Sequence, residues 1–92
     1  MFMASQVQVY KTPYCGYCVR AVNLLRSKGI AFEEIDVSGN DEKREWLVET
    51  TGQRTVPQIF INGQSVGGYT DLAALDRAGR LDAMLQSKSV AG

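Results

Sequence analysis

The chain opens with alternating polar and apolar residues. Gln6-Val7-Gln8-Val9-Tyr10 is β-rich and predicts a first strand. The period then changes. From Cys15, the apolar residues Cys18, Val22 and Leu25 recur at helical spacing with Ala21 beside them, and Gly29 closes this predicted helix as its C′ residue. Ile30 to Val37 (IAFEEIDV) predicts a second strand. Ser38-Gly39-Asn40-Asp41 supplies capping residues for a helix over Glu42 to Thr51, which carries Trp46 and Leu47 and stops at Gly52. Pro57 to Ile61, then Asn62-Gly63, then Gln64 to Val66 form a hairpin signature, because Asn-Gly tolerates the positive φ of a type I′ turn. Gly67-Gly68 breaks that strand, and Thr70 or Asp71 is expected to cap a helix that turns Leu72 and Leu75 inward. A last helical segment carries Leu81, Met84 and Leu85, and Ser87 to Gly92 is expected to fray. The order β-α-β-α-β-β-α(α) describes one right-handed parallel βαβ unit followed by an antiparallel hairpin.

Length allows one domain over residues 1–92, with its core from about 6 to 86, and 45% apolar residues suffice to build that core. Ten Lys and Arg balance ten Asp and Glu, so nothing favours nucleic acid or an anionic membrane as partner. No apolar run approaches the roughly 20 residues of a membrane-spanning helix. The start Met1-Phe2-Met3-Ala4-Ser5 lacks a basic segment and a long apolar stretch, so a cytoplasmic, reducing compartment is expected. The absence of histidine removes Cys–His and Ser–His–Asp catalysis and imidazole metal ligands. Both cysteines fall in one four-residue motif, too few for a four-thiolate zinc site from one chain.

That motif, Cys15-Gly16-Tyr17-Cys18, follows the first strand and enters the first helix. Cys-x-x-Cys beside a βαβ pattern points to redox chemistry. Residues i and i+3 on a first helical turn have Cβ atoms roughly 5–6 Å apart, and a disulfide needs about 4 Å, so a small adjustment opens or closes the bridge. So short a loop gains little chain-entropy stabilisation on closure, which makes it a poor staple and a good switch. Cys15 lies at the helix N-terminal edge, where unpaired N–H groups and the positive dipole end favour an ionised sulfur, with Lys11 adding charge nearby. Cys18, one turn in, is expected to be buried and to stay protonated until it acts. Cys15 is therefore the expected nucleophile and Cys18 the resolving thiol. Half of an intersubunit metal site is the competing reading of the pair.

Thr55-Val56-Pro57, Gly67-Gly68 and Thr70-Asp71-Leu72 follow the motif in an order and spacing that resemble dithiol glutaredoxins over about residues 6 to 86, and Lys11-Thr12-Pro13-Tyr14 resembles the family's approach to its active site. The resemblance implies an α/β thioredoxin-like fold, with a four-stranded mixed sheet in order 2-1-3-4 and helices on both faces. It also implies a cis Val56–Pro57 bond, with the Val56 backbone turned toward the active site to pair with a substrate cysteine like an added strand.

The resemblance further implies glutathione as co-substrate. The helix start at Thr70-Asp71, with Gly68 before it, would take the γ-glutamyl carboxylate, and the Asp71 side chain the ammonium. Lys11, with Gln53 or Arg54 ahead of Thr55-Val56-Pro57, would hold the glycyl carboxylate, and Tyr17 would form a groove wall. Plainer roles stand beside these: Asp71 as helix cap as well as ligand, Arg54 as a solvated loop charge, Arg20 on the helix surface, Tyr14 in packing, and Trp46 covering core. The expected partners are disulfide-containing or glutathionylated proteins, with the chain a monomer. The sequence departs from the commonest dithiol motif in having Gly16 where the family has Pro. Some relatives with small residues there bind a [2Fe–2S] cluster between two subunits, with Cys15 of each chain and two glutathione thiolates as ligands. A cluster-bound dimer, a carrier or redox sensor, is thus the alternative, separable by visible absorption and mass. A redoxin fed by a flavoprotein reductase is a third option, disfavoured by the carboxylate-binding set.

Overall fold

The computed structural model describes residues 6–86. The chain runs β1 (Val7–Lys11), α1 (Gly16–Ser27), β2 (Glu33–Asp36), α2 (Asp41–Thr51), β3 (Gln58–Ile61), β4 (Gln64–Gly67), α3 (Tyr69–Arg77) and α4 (Arg80–Gln86). The four strands form one sheet in the order β2-β1-β3-β4. β1 pairs parallel with β2 and antiparallel with β3, which pairs antiparallel with β4. This is the thioredoxin-like arrangement that the resemblance implied.

Alternation along the central strands separates two cores, because successive side chains leave a strand on opposite faces. Val7 and Val9 of β1 stand opposite Ile61 and Ile59 of β3. On that face they join Ala21, Val22 and Leu25 of α1 with Leu72, Leu81 and Leu85 of α3 and α4. Tyr10 and Phe60 point the other way and meet Val37, just beyond β2, and Leu47 of α2. The Trp46 ring lies 5.5 Å from Tyr10 and 5.6 Å from Phe60 and covers this smaller core, as expected of it. β3, buried at every residue, is the layer both helical faces share.

Several ends differ from the sequence reading. β2 is four residues long, against the eight from Ile30 to Val37. Ile30 and Phe32 pack on the larger core without entering the ladder, since an edge strand can pair only where β1 faces it, from Gln8 to Lys11. Val37 stays attached through its N–H to the Lys11 carbonyl at 2.9 Å. α3 starts at Tyr69 with Gly68 as its N-cap, neither Thr70 nor Asp71. Asp71 stands inside the first turn, and its Oδ2 accepts the Gly68 N–H at 3.1 Å, so it satisfies the helix end from N3. The Asn62-Gly63 turn is as read, with φ of 53° and 80°, but β3 begins only at Gln58 and β4 runs on through Gly67, which pairs with Ile59. The expected fraying of Ser87 to Gly92 lies outside the described residues.

Candidate active site

β1 delivers the chain through Thr12-Pro13-Tyr14 to Cys15, the N-cap of α1. An N-cap side chain ordinarily offers oxygen to the N–H of N2 or N3. Here sulfur does it: the Cys18 N–H donates to Cys15 Sγ at 3.1 Å. The sulfur thus sits on the helix axis end where negative charge is favoured. The Cys15 thiol in turn donates to the Val56 carbonyl oxygen at 3.9 Å.

Cys18 is the opposite case. It is 2% exposed, packed one turn into α1, and both cysteines are free thiols. Burial first, then the hydrogen bond with Cys15, push its thiol up to about 12, against a backbone hydrogen bond from Thr12 and the charge of Lys11. One sulfur is partly exposed, accepts an N–H and donates to a carbonyl, and the other is enclosed and held as a thiol.

The Val56–Pro57 bond is cis. A Cβ on Gly68 would touch the Pro57 carbonyl at 3.4 Å, which shows how closely the start of α3 lies against this segment. Tyr17 stacks on Tyr69 with ring centroids 6.2 Å apart, and Arg20 lies 5.6 Å above the Tyr17 ring. The starts of α1 and α3 and the Val56-Pro57 corner therefore meet around Cys15. Thr70 is exposed in the first turn of α3.

The remaining candidates divide between two cavities. Lys11 borders one of about 250 Å³ together with Cys15, Cys18, Arg26 and Glu34. Gln53, Arg54, Thr55 and Val56 border another, of about 300 Å³, against α2. Val56, beside the Cys15 sulfur, is where the second approaches the thiol. Lys11 is engaged, its Nζ 2.6 Å from Glu34 Oε1. Gln53 is also engaged, because its Oε1 accepts from Nε2 of the fully buried Gln58, which donates to the Thr55 carbonyl at 2.8 Å as well. Arg54 is exposed and forms no ion pair among the described residues.

Tyr14 is a correction. Read as packing, it has φ of 61° and a fully exposed ring, at 105% of the reference area. The turn that brings Cys15 onto the helix end forces its side chain outward. Sequence reasoning also passed over Glu34 and Tyr69. An acidic residue in an edge strand carries no local signal of its partner, whereas Tyr69, immediately before Thr70-Asp71, could have been marked by its position.

The glutaredoxin family model matches residues 7–66. The chain belongs to the glutaredoxin family. It is 48% identical over 82 residues to glutaredoxin 3 of Escherichia coli K12, covering 89% of this chain and 99% of that protein. A solution structure of glutaredoxin from Brucella melitensis superposes with a TM-score of 0.81 at 45% identity, covering 94% of this chain and 91% of the other. A crystal structure of a buckwheat glutaredoxin–glutathione complex superposes at 0.84 with 34% identity, covering 88% and 76%. Membership implies thiol–disulfide oxidoreductase activity.

Among the described residues no three His, Cys, Asp or Glu side chains converge as metal ligands. Of the two sulfurs only Cys15 reaches the surface, so a [2Fe–2S] cluster, which takes four sulfur ligands, would find one ligand in this chain and need the other three from outside it. No helix among the described residues is long and apolar enough to cross a membrane.

Proposed function

We propose that the protein is a glutathione-dependent thiol–disulfide oxidoreductase acting on protein disulfides and glutathione mixed disulfides, with Cys15 as nucleophile and Cys18 as resolving thiol. One observation carries this reading: the accessible sulfur caps a helix and accepts an N–H, while its partner is enclosed with its thiol pushed up to about 12. The first is available to attack and the second is not.

On a glutathionylated protein, the Cys15 thiolate attacks the glutathionyl sulfur. A Cys15–glutathione disulfide forms, and the protein thiolate leaves. A second glutathione thiolate attacks the glutathionyl sulfur, releasing glutathione disulfide and restoring the Cys15 thiolate. On a protein disulfide, Cys15 joins one substrate sulfur and the other leaves as thiolate. Cys18 then loses its proton and attacks Cys15, which releases the reduced substrate and leaves an internal bridge that two glutathiones reduce. The order of events follows from what raises the Cys18 thiol. A Cys15 held in a mixed disulfide can carry no charge and no proton, so its contributions to holding the Cys18 proton are removed, and burial is left against the Thr12 hydrogen bond and the Lys11 charge.

Glutathione as donor is supported by the likeness to the buckwheat glutaredoxin–glutathione complex and by the groups around Cys15. The start of α3 at Tyr69 and Thr70 offers N–H groups to the γ-glutamyl carboxylate, the Gly68 N–H being taken by Asp71, and Asp71 takes the ammonium. The Val56 backbone pairs with the cysteinyl residue beside Pro57, and Tyr17 walls the groove. Lys11 and the free Arg54 hold the glycyl carboxylate. Gln53, committed to Gln58, contributes with Thr55 to the shape of that loop.

The test compares Cys15→Ser with Cys18→Ser on a glutathione mixed disulfide. Loss of turnover in the first and retained turnover in the second are expected, with the second failing on protein disulfides. Equal loss from both would overturn the assignment of roles.

A further inference from the structure

Lys11 ends β1, and its Cα partner across the parallel ladder is Asp36. One oxygen of that carboxylate accepts both the N–H and the hydroxyl of Ser38 at 2.8 and 2.7 Å, and Asp36 feels the Lys11 charge without an ion pair to it. Glu34, two residues earlier on the same face of β2, takes the ammonium instead, with Oε1 2.6 Å from Lys11 Nζ. Its other oxygen lies 3.6 Å from the Arg26 guanidinium of α1. One carboxylate therefore stands between two cations, and Lys11, Glu34 and Arg26 all border the cavity of about 250 Å³ that both cysteines also line. The Lys11 hydrogen bond, above all, holds the Glu34 carboxyl below its usual range, so it is an anion at neutral pH.

We propose that Glu34 is a built-in rival of glutathione: it occupies the Lys11 ammonium in the free protein and yields it to the glycyl carboxylate when the tripeptide binds. The proposal rests on the reading of Lys11 as a glutathione ligand. The exchange replaces one carboxylate by another, and Glu34 falls back on Arg26, so no charge is left without a partner. Glutathione gains only the difference between two similar ion pairs, and it leaves more readily than it would from an unpaired lysine. The glycyl carboxylate is remote from the reacting sulfur and is held equally in ground and transition states. A contact of that kind alters KM and leaves kcat alone. Glu34 is thus a specificity-setting residue. It acts against substrates that carry the glycyl carboxylate and is indifferent to protein disulfides that lack it.

The experiment uses Glu34→Gln, Glu34→Asp, Lys11→Gln and the Lys11→Gln/Glu34→Gln double variant. Each is assayed on a glutathione mixed disulfide and on its analogue with the glycyl carboxylate masked as an ethyl ester. Glu34→Gln is expected to lower KM about two- to fivefold, the worth of an exposed ion pair, with kcat unchanged and Glu34→Asp intermediate. The gain is expected to vanish in the Lys11→Gln background and with the ester. If Lys11→Gln raises KM but Glu34→Gln leaves it unchanged, or improves the ester equally, the rivalry is refuted while the Lys11 reading survives. If Lys11→Gln itself has no effect on KM, the reading beneath it falls as well.

Discussion

Asp71 is asked to do two jobs, and Asp71→Asn separates them. In the structure its Oδ2 accepts the Gly68 N–H at 3.1 Å from the first turn of α3. An asparagine keeps an oxygen for that bond but gives up the negative charge at the positive helix end, a loss of about 0.5 kcal/mol for an exposed site. A domain of this size shifts its midpoint by roughly 4–8 °C per kcal/mol, so thermal unfolding is expected to fall by about 2–4 °C. If the same carboxylate holds the γ-glutamyl ammonium, the substrate loses a charge-assisted hydrogen bond worth about 1.5–3 kcal/mol. At about 1.36 kcal/mol per tenfold, KM for a glutathione mixed disulfide is expected to rise roughly 10- to 150-fold, with kcat nearly intact. Asp71→Ala also removes the cap bond, typically about 1 kcal/mol, and is expected to unfold lower still with the same KM. Circular dichroism melts and steady-state kinetics read the two effects independently. A small drop in melting temperature with KM within twofold of the parent would refute the ligand role and leave Asp71 a helix cap only.

Two further outcomes follow from the same geometry. The Cys18 thiol is raised from 9.0 to about 12 in the folded protein, so the unfolded chain releases that proton first as pH rises. Stability is therefore intact below pH 9 and declines between about 9 and 12; in denaturant titrations Cys18→Ala is expected to delay the onset to above pH 10.0, where the Tyr10 hydroxyl, raised by burial, is the next group to lose stability, and an unchanged onset would contradict the burial argument. Gly67 has φ of 110°, and a Cβ there would run into the Asp71 carboxylate. Gly67→Ala is accordingly expected to cost about 1–3 kcal/mol and to raise KM along with it, measured by chemical denaturation and kinetics; a neutral substitution would mean that the β4–α3 corner relaxes freely.

Much of this protein was readable along the chain because its signals are local. The apolar stripe Cys18, Ala21, Val22 and Leu25 has the period of a helix whatever surrounds it, and all four residues are buried. Asn62-Gly63 announces its turn by backbone preference alone, and Cys15 and Cys18 lie close because of where they stand on one turn. The strand order and the cis Val56–Pro57 bond were reached through family resemblance, since no local preference dictates either. Tertiary structure decided what depends on residues far apart in sequence. β2 is cut to four residues by the reach of β1, and the cap of α3 moves back to Gly68 because Asp71 folds onto it from the first turn. Lys11 and Glu34, 23 residues apart, become partners only because two parallel strands lie side by side while Ser38 draws Asp36 away. Local sequence sets backbone periodicity and turn chemistry over a few residues. Which charge faces which is a property of packing, and it exists only once the sheet has formed.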